Sequence, residues 1–112
     1  MSPPVLSRRL MLEDPQRVSD GRGGHTEVWE AMGDLWAEVK PLNGRHSLQG
    51  GVNLSLQRYR ITVRATPVGS TSRPRPDQRF REGSRLFLIH AVAEADDSGR
   101  FLTCFAQEEV SA

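Results

Sequence analysis

The feature that most constrains the fold is a ten-residue segment, 57–66 (QRYRITVRAT), in which apolar and polar side chains alternate. One face of this segment carries the apolar residues Tyr59, Ile61, Val63 and Ala65. The opposite face carries the polar residues Arg58, Arg60, Thr62, Arg64 and Thr66. A period of two over this length is typical of a β-strand with one face in a core and the other in solvent. The segment therefore predicts a sheet whose outer face is lined by arginines.

Shorter strand patterns lie on both sides of this segment. They cover residues 7–13, 79–81, 85–94 and 101–108, together with two strands inside 25–39 that are joined by a turn at Gly33-Asp34. Segment 85–94 is apolar on both faces and is therefore expected at the centre of the sheet. Five or six short strands separated by polar turns are typical of a small antiparallel barrel or sandwich.

Turn signals indicate how the first strands connect. Asp14-Pro15 is expected to end the strand 7–13, and the glycine-rich turn at 20–24 would make 7–13 and 25–30 the two arms of a hairpin. Segment 67–78 contains three prolines and no apolar periodicity, which predicts an extended, exposed loop.

The segment 43–56 has no clear secondary-structure pattern. Leu48, Val52 and Leu56 recur at helical spacing, but the Gly50-Gly51 pair would cost a helix about 1 kcal/mol for each glycine. A short frayed helix and a mobile loop both fit this segment. The predicted fold class is all-β, mainly a small antiparallel barrel or sandwich, with at most one short helix around residues 45–56.

Length and hydropathy indicate one domain, residues 1–112, with an ordered core of about 6–109. The longest apolar run, residues 86–93, has eight residues against the roughly 20 that a membrane-spanning helix needs. The N-terminal segment has no apolar stretch typical of a signal peptide, so we expect neither secretion nor a membrane role.

The residues that could support catalysis are few and scattered. The histidines, His25, His46 and His90, have no partner at metal-ligand spacing, and His90 is expected in the interior or at an interface. Cys104, the single cysteine, lies in the middle of a predicted strand, where a small apolar filler is the ordinary role. No nucleophile, zinc or nucleotide-binding motif is present, so we expect no enzyme activity, no cofactor and no metal.

Charge is strongly segregated along the chain. Residues 45–85 contain nine arginines and two acidic residues, net +7, whereas residues 1–44 carry net −2 and residues 86–112 net −4. This pattern favours a protein whose copies meet, positive side to negative side.

The arginines allow three interpretations: a solvated outer face, a subunit interface, or contact with nucleic-acid phosphates. The residues concerned are Arg58, Arg60, Arg64, Arg73 and Arg75. Only Tyr59 and Phe80 supply aromatic rings in this stretch, which disfavours sequence-specific reading of bases by stacking.

Over about residues 6–109 the chain resembles the head–tail joining (head-closure, or stopper) proteins of long-tailed phages. The sequence is most similar to the version of this protein in bacterial gene transfer agents, which are phage-derived particles that package host DNA. The resemblance depends on the order and spacing of LWAEVKPLNGR (35–45), RYRITVRA (58–65), RPDQRFREGSRLFLIHAVAEAD (75–96) and RFLTCFAQEE (100–109).

The resemblance implies a β-barrel-like subunit that forms a ring, sixfold in preference to twelvefold, between the portal or adaptor and the tail. Such a ring completes the channel for double-stranded DNA and retains packaged DNA. The implied location is the bacterial cytoplasm during assembly and then the neck of the particle. Two alternatives remain: a small nucleic-acid-binding barrel, and a ring protein like a tail terminator.

Within that interpretation, one loop is expected to face the channel and act as a gate or plug, with loop 67–78 as the less favoured choice. The expected gating residues are Asn43, Gly44, Arg45, His46, Ser47, Leu48, Gln49, Gly50, Gly51, Val52 and Asn53.

Overall fold

The computed structural model describes residues 3–42, 45–49 and 52–109 and contains eight β-strands in that part of the chain. The strands are β1 (Arg8–Ser19), β2 (His25–Pro41), β3 (Arg45–Gln49), β4 (Val52–Leu56), β5 (Arg58–Arg64), β6 (Arg79–Glu82), β7 (Arg85–Glu94) and β8 (Phe101–Glu108). The predicted all-β class is confirmed. The described residues contain no helix long and apolar enough to cross a membrane.

Six of the strands close into an antiparallel barrel in the order β1-β2-β5-β8-β7-β6. Closure occurs where Met11, Leu12 and Glu13 of β1 pair with β6. Because β5 pairs with β2 on one side and with β8 on the other, the alternating segment lies in the middle of this sheet. The arginine-bearing outer surface of β5 therefore has a strand on each side of it.

Alternate residues of these strands fill the barrel. The fully buried apolar residues include Leu10, Leu12, Ile61, Val63, Phe80, Phe87, Ile89, Leu102 and Cys104. Each of the six barrel strands contributes to this core, with Ala37 from β2. The alternation in 57–66 is confirmed for Ile61 and Val63, which are buried, and for the arginines, which are exposed. Thr62, expected on the solvent face, is buried.

The predicted turn at Gly33-Asp34 is wrong. Strand β2 runs through both residues, and the register moves from Leu12–Gly33 to Glu13–Ala31, which leaves Met32 as an extra residue on β2. Gly33 has a φ of 128°, a conformation that a side chain would strain. A glycine inside a strand pattern can mark a bulge as well as a turn, and here it marks a bulge.

The predicted end of the first strand at Asp14-Pro15 is also wrong, because β1 continues to Ser19. Residues 14–19 pair with residues 25–30 and form a two-stranded ribbon, which we call the arm. Neither β6 nor β5 pairs with these residues, so the arm continues beyond the part of the sheet that closes. At its tip the Asp20 carboxylate accepts hydrogen bonds from the amides of Arg22 (2.7 Å) and Gly24 (3.1 Å).

Residues 45–56, expected as a short helix or a mobile loop, form neither. Strands β3 and β4 pair in an antiparallel hairpin from Arg45–Leu56 to Gln49–Val52, separate from the barrel sheet. Two five-residue segments on either side of Gly50-Gly51 match a hairpin signal. The helical spacing of the apolar residues was the weaker indication. Asn43, Gly44, Gly50 and Gly51 of the predicted gate lie outside the described residues.

Candidate interaction surface

The outward surface of β5 carries three exposed arginines, Arg58, Arg60 and Arg64. The chain's fourteen acidic residues all lie in its described part, and none of them forms an ion pair with these three guanidinium groups there. Arg64 contacts the ring of Phe101, with its guanidinium carbon 5.9 Å from the ring centroid. Three exposed cations are therefore available to an external partner.

Strands β2 and β8 place aromatic side chains beside these arginines. In the barrel register Arg60 lies between Lys40 and Phe105, and Arg64 lies opposite Phe101. Trp36 is 58% exposed and Phe105 is 40% exposed. We call this surface the Arg–aromatic face: Trp36, Lys40, Arg58, Arg60, Arg64, Phe101 and Phe105. Exposed aromatics next to arginines are the composition that protein interfaces favour.

The sequence pattern did not predict these aromatic neighbours. Tyr59 and Phe80, the rings nearest to the arginines in sequence, instead point inward; Phe80 is fully buried and Tyr59 packs edge-on against Phe87 at 5.2 Å. The exposed rings come from strands distant in sequence. The alternation of 101–108, with Leu102, Cys104 and Ala106 buried, does place Phe101 and Phe105 outward, but only the strand order brings them next to β5.

Two predicted interface arginines are held by contacts within the subunit. The Arg73 guanidinium donates a hydrogen bond to the Thr66 carbonyl (2.7 Å), and Arg75 pairs with Asp14 (3.3 Å). Their loop is also less exposed than expected, because Pro74 and Gln78 are buried and the Gln78 amide donates to Asp14 (2.8 Å). Arg73 and Arg75 thus have partners within the subunit, whereas the arginines of β5 have no acidic partner in the described chain.

A second group of arginines is paired within the subunit, at the place where β1 and β6 close the barrel. The buried Glu13 carboxylate accepts a hydrogen bond from Arg79 (2.7 Å) and forms an ion pair with Arg81 (3.0 Å). The Arg79 guanidinium carbon lies 4.0 Å from the Trp29 ring centroid. These contacts join β1, β2 and β6 at the base of the arm. The positive charge of residues 79–85 is therefore largely neutralised within the subunit.

Arg85 joins the ends of β5, β7 and β8. Its guanidinium donates to Glu108 (2.8 Å) and to the Tyr59 hydroxyl (3.1 Å). The hydrogen bond from Arg85 holds the pKa of the Glu108 carboxyl below its usual value, and Arg8 lowers the pKa of Glu82 in the same way. Desolvation, followed by the hydrogen bond to Glu108, raises the pKa of Tyr59.

These lowered carboxyl pKa values predict that stability falls in acid. Because the folded-state pKa of Glu108 is below its unfolded value, its contribution is complete above the unfolded value of roughly 4.3 and is lost as pH falls through the folded value. We expect Glu108→Gln to reduce the free energy of unfolding at pH 7 by about 1 kcal/mol or less and to weaken its dependence on pH between 7 and 3. Urea denaturation at several pH values measures both effects. Glu109→Gln, at the exposed adjacent position, is the control, and equal pH profiles for the two variants would contradict the prediction.

The side chains considered for catalysis lie either in the core, as Cys104 does, or on the exposed surface, as His90 does. Burial raises the pKa of the Cys104 thiol to about 12, which keeps it protonated and a poor nucleophile. His90 is exposed at the β7 bulge, where it lines an outer groove with Arg58 and Phe105. The prediction that His90 lies in the interior is therefore wrong, and an interface position stays a prediction. Among the described residues no group of three His, Cys, Asp or Glu side chains is arranged to hold a metal ion.

The β3–β4 hairpin begins beside the Arg–aromatic face. The Leu42 amide donates to the Arg58 carbonyl (2.8 Å), and the Gln57 side chain donates to the Leu42 carbonyl (3.2 Å). These hydrogen bonds fix both ends of the hairpin to β2 and β5. The residues that flank the predicted gating segment are therefore hydrogen-bonded to each other at the edge of the barrel.

Comparison with known proteins supplies a context for this surface. The family described as phage head completion protein matches residues 1–109. A solved chain from the virion of a native gene transfer agent particle is 52% identical, with a TM-score of 0.84; the match covers 98% of this chain and 100% of that one. No curated protein matches the chain at a significant level.

Proposed function

The chain belongs to the phage head completion protein family, and we propose that its copies form a ring at the joint between the head and tail of a phage-like particle. The observation that carries this proposal is the 52% identity, over nearly the whole chain, to a protein of a gene transfer agent virion. In the proposed pathway subunits are made in the bacterial cytoplasm and join the particle between an adaptor-side ring and the tail. The chain's part in this assembly is structural.

Ring formation is supported by the distribution of charge and apolar surface. A closed ring needs two different complementary patches on each subunit, because each copy contacts its neighbours head to tail. The Arg–aromatic face, with exposed rings and three guanidinium groups that have no acidic partner within the described chain, can serve as one patch. Negative net charge on the flanking thirds of the sequence supplies the complement. Sixfold symmetry remains the preferred stoichiometry.

The β3–β4 hairpin is the segment that we propose for the DNA channel. The proposed gate remains residues 43–53, and its anchoring to β2 and β5 would let a barrel subunit present it toward a central axis. The segment contains Arg45 and no acidic residue, which suits transient, sequence-independent contact with the phosphates of double-stranded DNA. A ring of such hairpins would complete the channel and retain packaged DNA.

Deleting residues 47–53 tests the gate. We expect the barrel to fold, because β3 and β4 pair with each other in a sheet separate from the six barrel strands, while filled heads lose most of their DNA. Nuclease-protected DNA per particle measures the loss, and circular dichroism of the purified variant controls for folding. Full retention of DNA in particles that contain the shortened chain would contradict the assignment.

The place of the protein is tested by electron microscopy of particles from cells that lack its gene. We expect heads, filled or leaked, beside separate and complete tails. Normal tailed particles would overturn the structural role and favour the nucleic-acid-binding barrel. Tails of irregular length would instead favour a tail-terminator role.

A further inference from the structure

A groove lies where β2 and β5 separate at one end of the Arg–aromatic face. The two strands pair only from Ala37–Val63 to Pro41–Tyr59, so residues 34–36 and 64–66 have no partner across the gap between them. The groove has a volume of about 550 Å³ and is lined by Leu6, Asp34, Leu35, Trp36, Arg64 and Thr66.

Three groups in this groove are incompletely satisfied within the subunit. Trp36 exposes more than half of its surface, and Arg64 has no acidic partner in the described chain. The Thr66 hydroxyl is buried and, in the described part of the structure, has no hydrogen-bond partner, which is costly for a buried polar group. The one acidic side chain on the groove wall, Asp34, is already paired with Arg9. Leucine and tryptophan walls with a guanidinium and a hydroxyl that lack such partners suit a polypeptide with apolar and acidic side chains.

The arm has the matching properties. A two-stranded ribbon alone is marginally stable in water, so a ribbon of this kind gains by packing against another surface. Val18 and Val28, which are 47% and 44% exposed, lie on the same face of the arm as Glu30, since both cross-strand pairs and alternate residues share a face. Residues 14–30 contain four acidic and two basic side chains, net −2.

The arm cannot reach the groove of its own subunit. Val28 and Trp36 belong to the same strand and are eight residues apart, a separation of roughly 27 Å along an extended chain. Arm and groove are therefore two separate patches on one subunit, as a head-to-tail contact requires.

We propose that the arm of one copy docks into the β2–β5 groove of the next copy, with Val18 and Val28 against Trp36 and Glu30 facing Arg64. This inference rests on the proposed ring and identifies its subunit contact. The acidic, valine-bearing face of the arm covers the exposed indole and pairs with the free guanidinium. Repetition of the same contact around the axis closes the ring.

Cysteine crosslinking in assembled particles tests the contact. The native Cys104 is buried, so Val28→Cys on the arm and Asp34→Cys on the groove wall, both at exposed positions, add the accessible thiols. With a short bismaleimide, the double variant is expected to give a ladder of covalent oligomers up to the ring size, and each single variant to give none beyond dimers. Absence of a ladder in normally tailed particles would overturn the contact while leaving the ring itself intact.

A charge exchange tests the same contact where cysteine variants fail to assemble. Arg64→Glu and Glu30→Arg are each expected to reduce the yield of tailed particles at least tenfold, and the double variant to recover most of it. No recovery in a double variant that folds normally would overturn the pairing. Normal tailed particles from cells that lack the gene would instead refute the proposed function. The two experiments therefore distinguish a wrong subunit contact from a wrong function.

Discussion

Particles made with the Arg64→Glu protein are expected to be largely untailed. Arg64 lies on the Arg–aromatic face, lines the β2–β5 groove and has no acidic partner in the described chain. Loss of a charge pair that is buried on association typically costs 2–5 kcal/mol, and the cost recurs at every contact of a ring. A change of about 1.4 kcal/mol is already tenfold in affinity, so we expect the yield of tailed particles to fall at least tenfold.

The same substitution should leave the isolated subunit folded. The Arg64 side chain is exposed and makes a cation–π contact with the Phe101 ring, so the change in unfolding free energy should stay within about 0.5 kcal/mol. Counting tailed particles by electron microscopy measures assembly, and circular dichroism with a urea titration measures folding. Arg100→Glu is the matched control, because Arg100 is an exposed arginine that contacts only Asp96 and Ser98 of its own turn among the described side chains. Normal tailed particles from Arg64→Glu would return this face to a solvated surface.

Phe87→Ala should produce the largest loss of stability. Phe87 is fully buried in the barrel and packs edge-on against Tyr59. The guanidinium carbon of Arg85 lies 5.0 Å from the centroid of the Phe87 ring. Removing a buried phenylalanine side chain costs about 3–5 kcal/mol, a large part of the 5–15 kcal/mol that stabilises an ordinary domain. The variant should therefore unfold at much lower urea concentration and accumulate poorly in cells.

Phe105→Ala is the matched control for this prediction. It removes the same side chain from the exposed face, where the expected loss of unfolding free energy is below about 1 kcal/mol. Urea denaturation of both variants gives the comparison. Equal losses would contradict the assignment of Phe87 to the core and Phe105 to the surface.

Local periodicity was sufficient to predict the barrel strands that alternate cleanly. Segment 57–66 specified both its strand and its outward arginines, because a period of two fixes which side chains face the core. The glycine signals were ambiguous. Gly33 was interpreted as a turn although it permits a bulge, and Gly50-Gly51 was weighed against a helix although the pair suits a hairpin.

The composition of the candidate surface depends on strand order, which local sequence does not encode. Phe105 and Arg60 are 45 residues apart in sequence and become neighbours only because β8 pairs with β5. Arg79 and Arg81 are two of the nine arginines counted in residues 45–85, and the β1–β6 pairing brings both of them to Glu13. Charge counting along the sequence therefore overstated the free positive charge of residues 79–85.

The most direct test of the account is an electron cryo-microscopy reconstruction of the neck of tailed particles. We expect a ring of copies of this chain at the head–tail joint, with the Arg–aromatic face of each barrel against its neighbour and the β3–β4 hairpins toward the channel. A neck without this chain would contradict the proposed function. A ring whose Arg–aromatic faces point to solvent would contradict the proposed subunit contact.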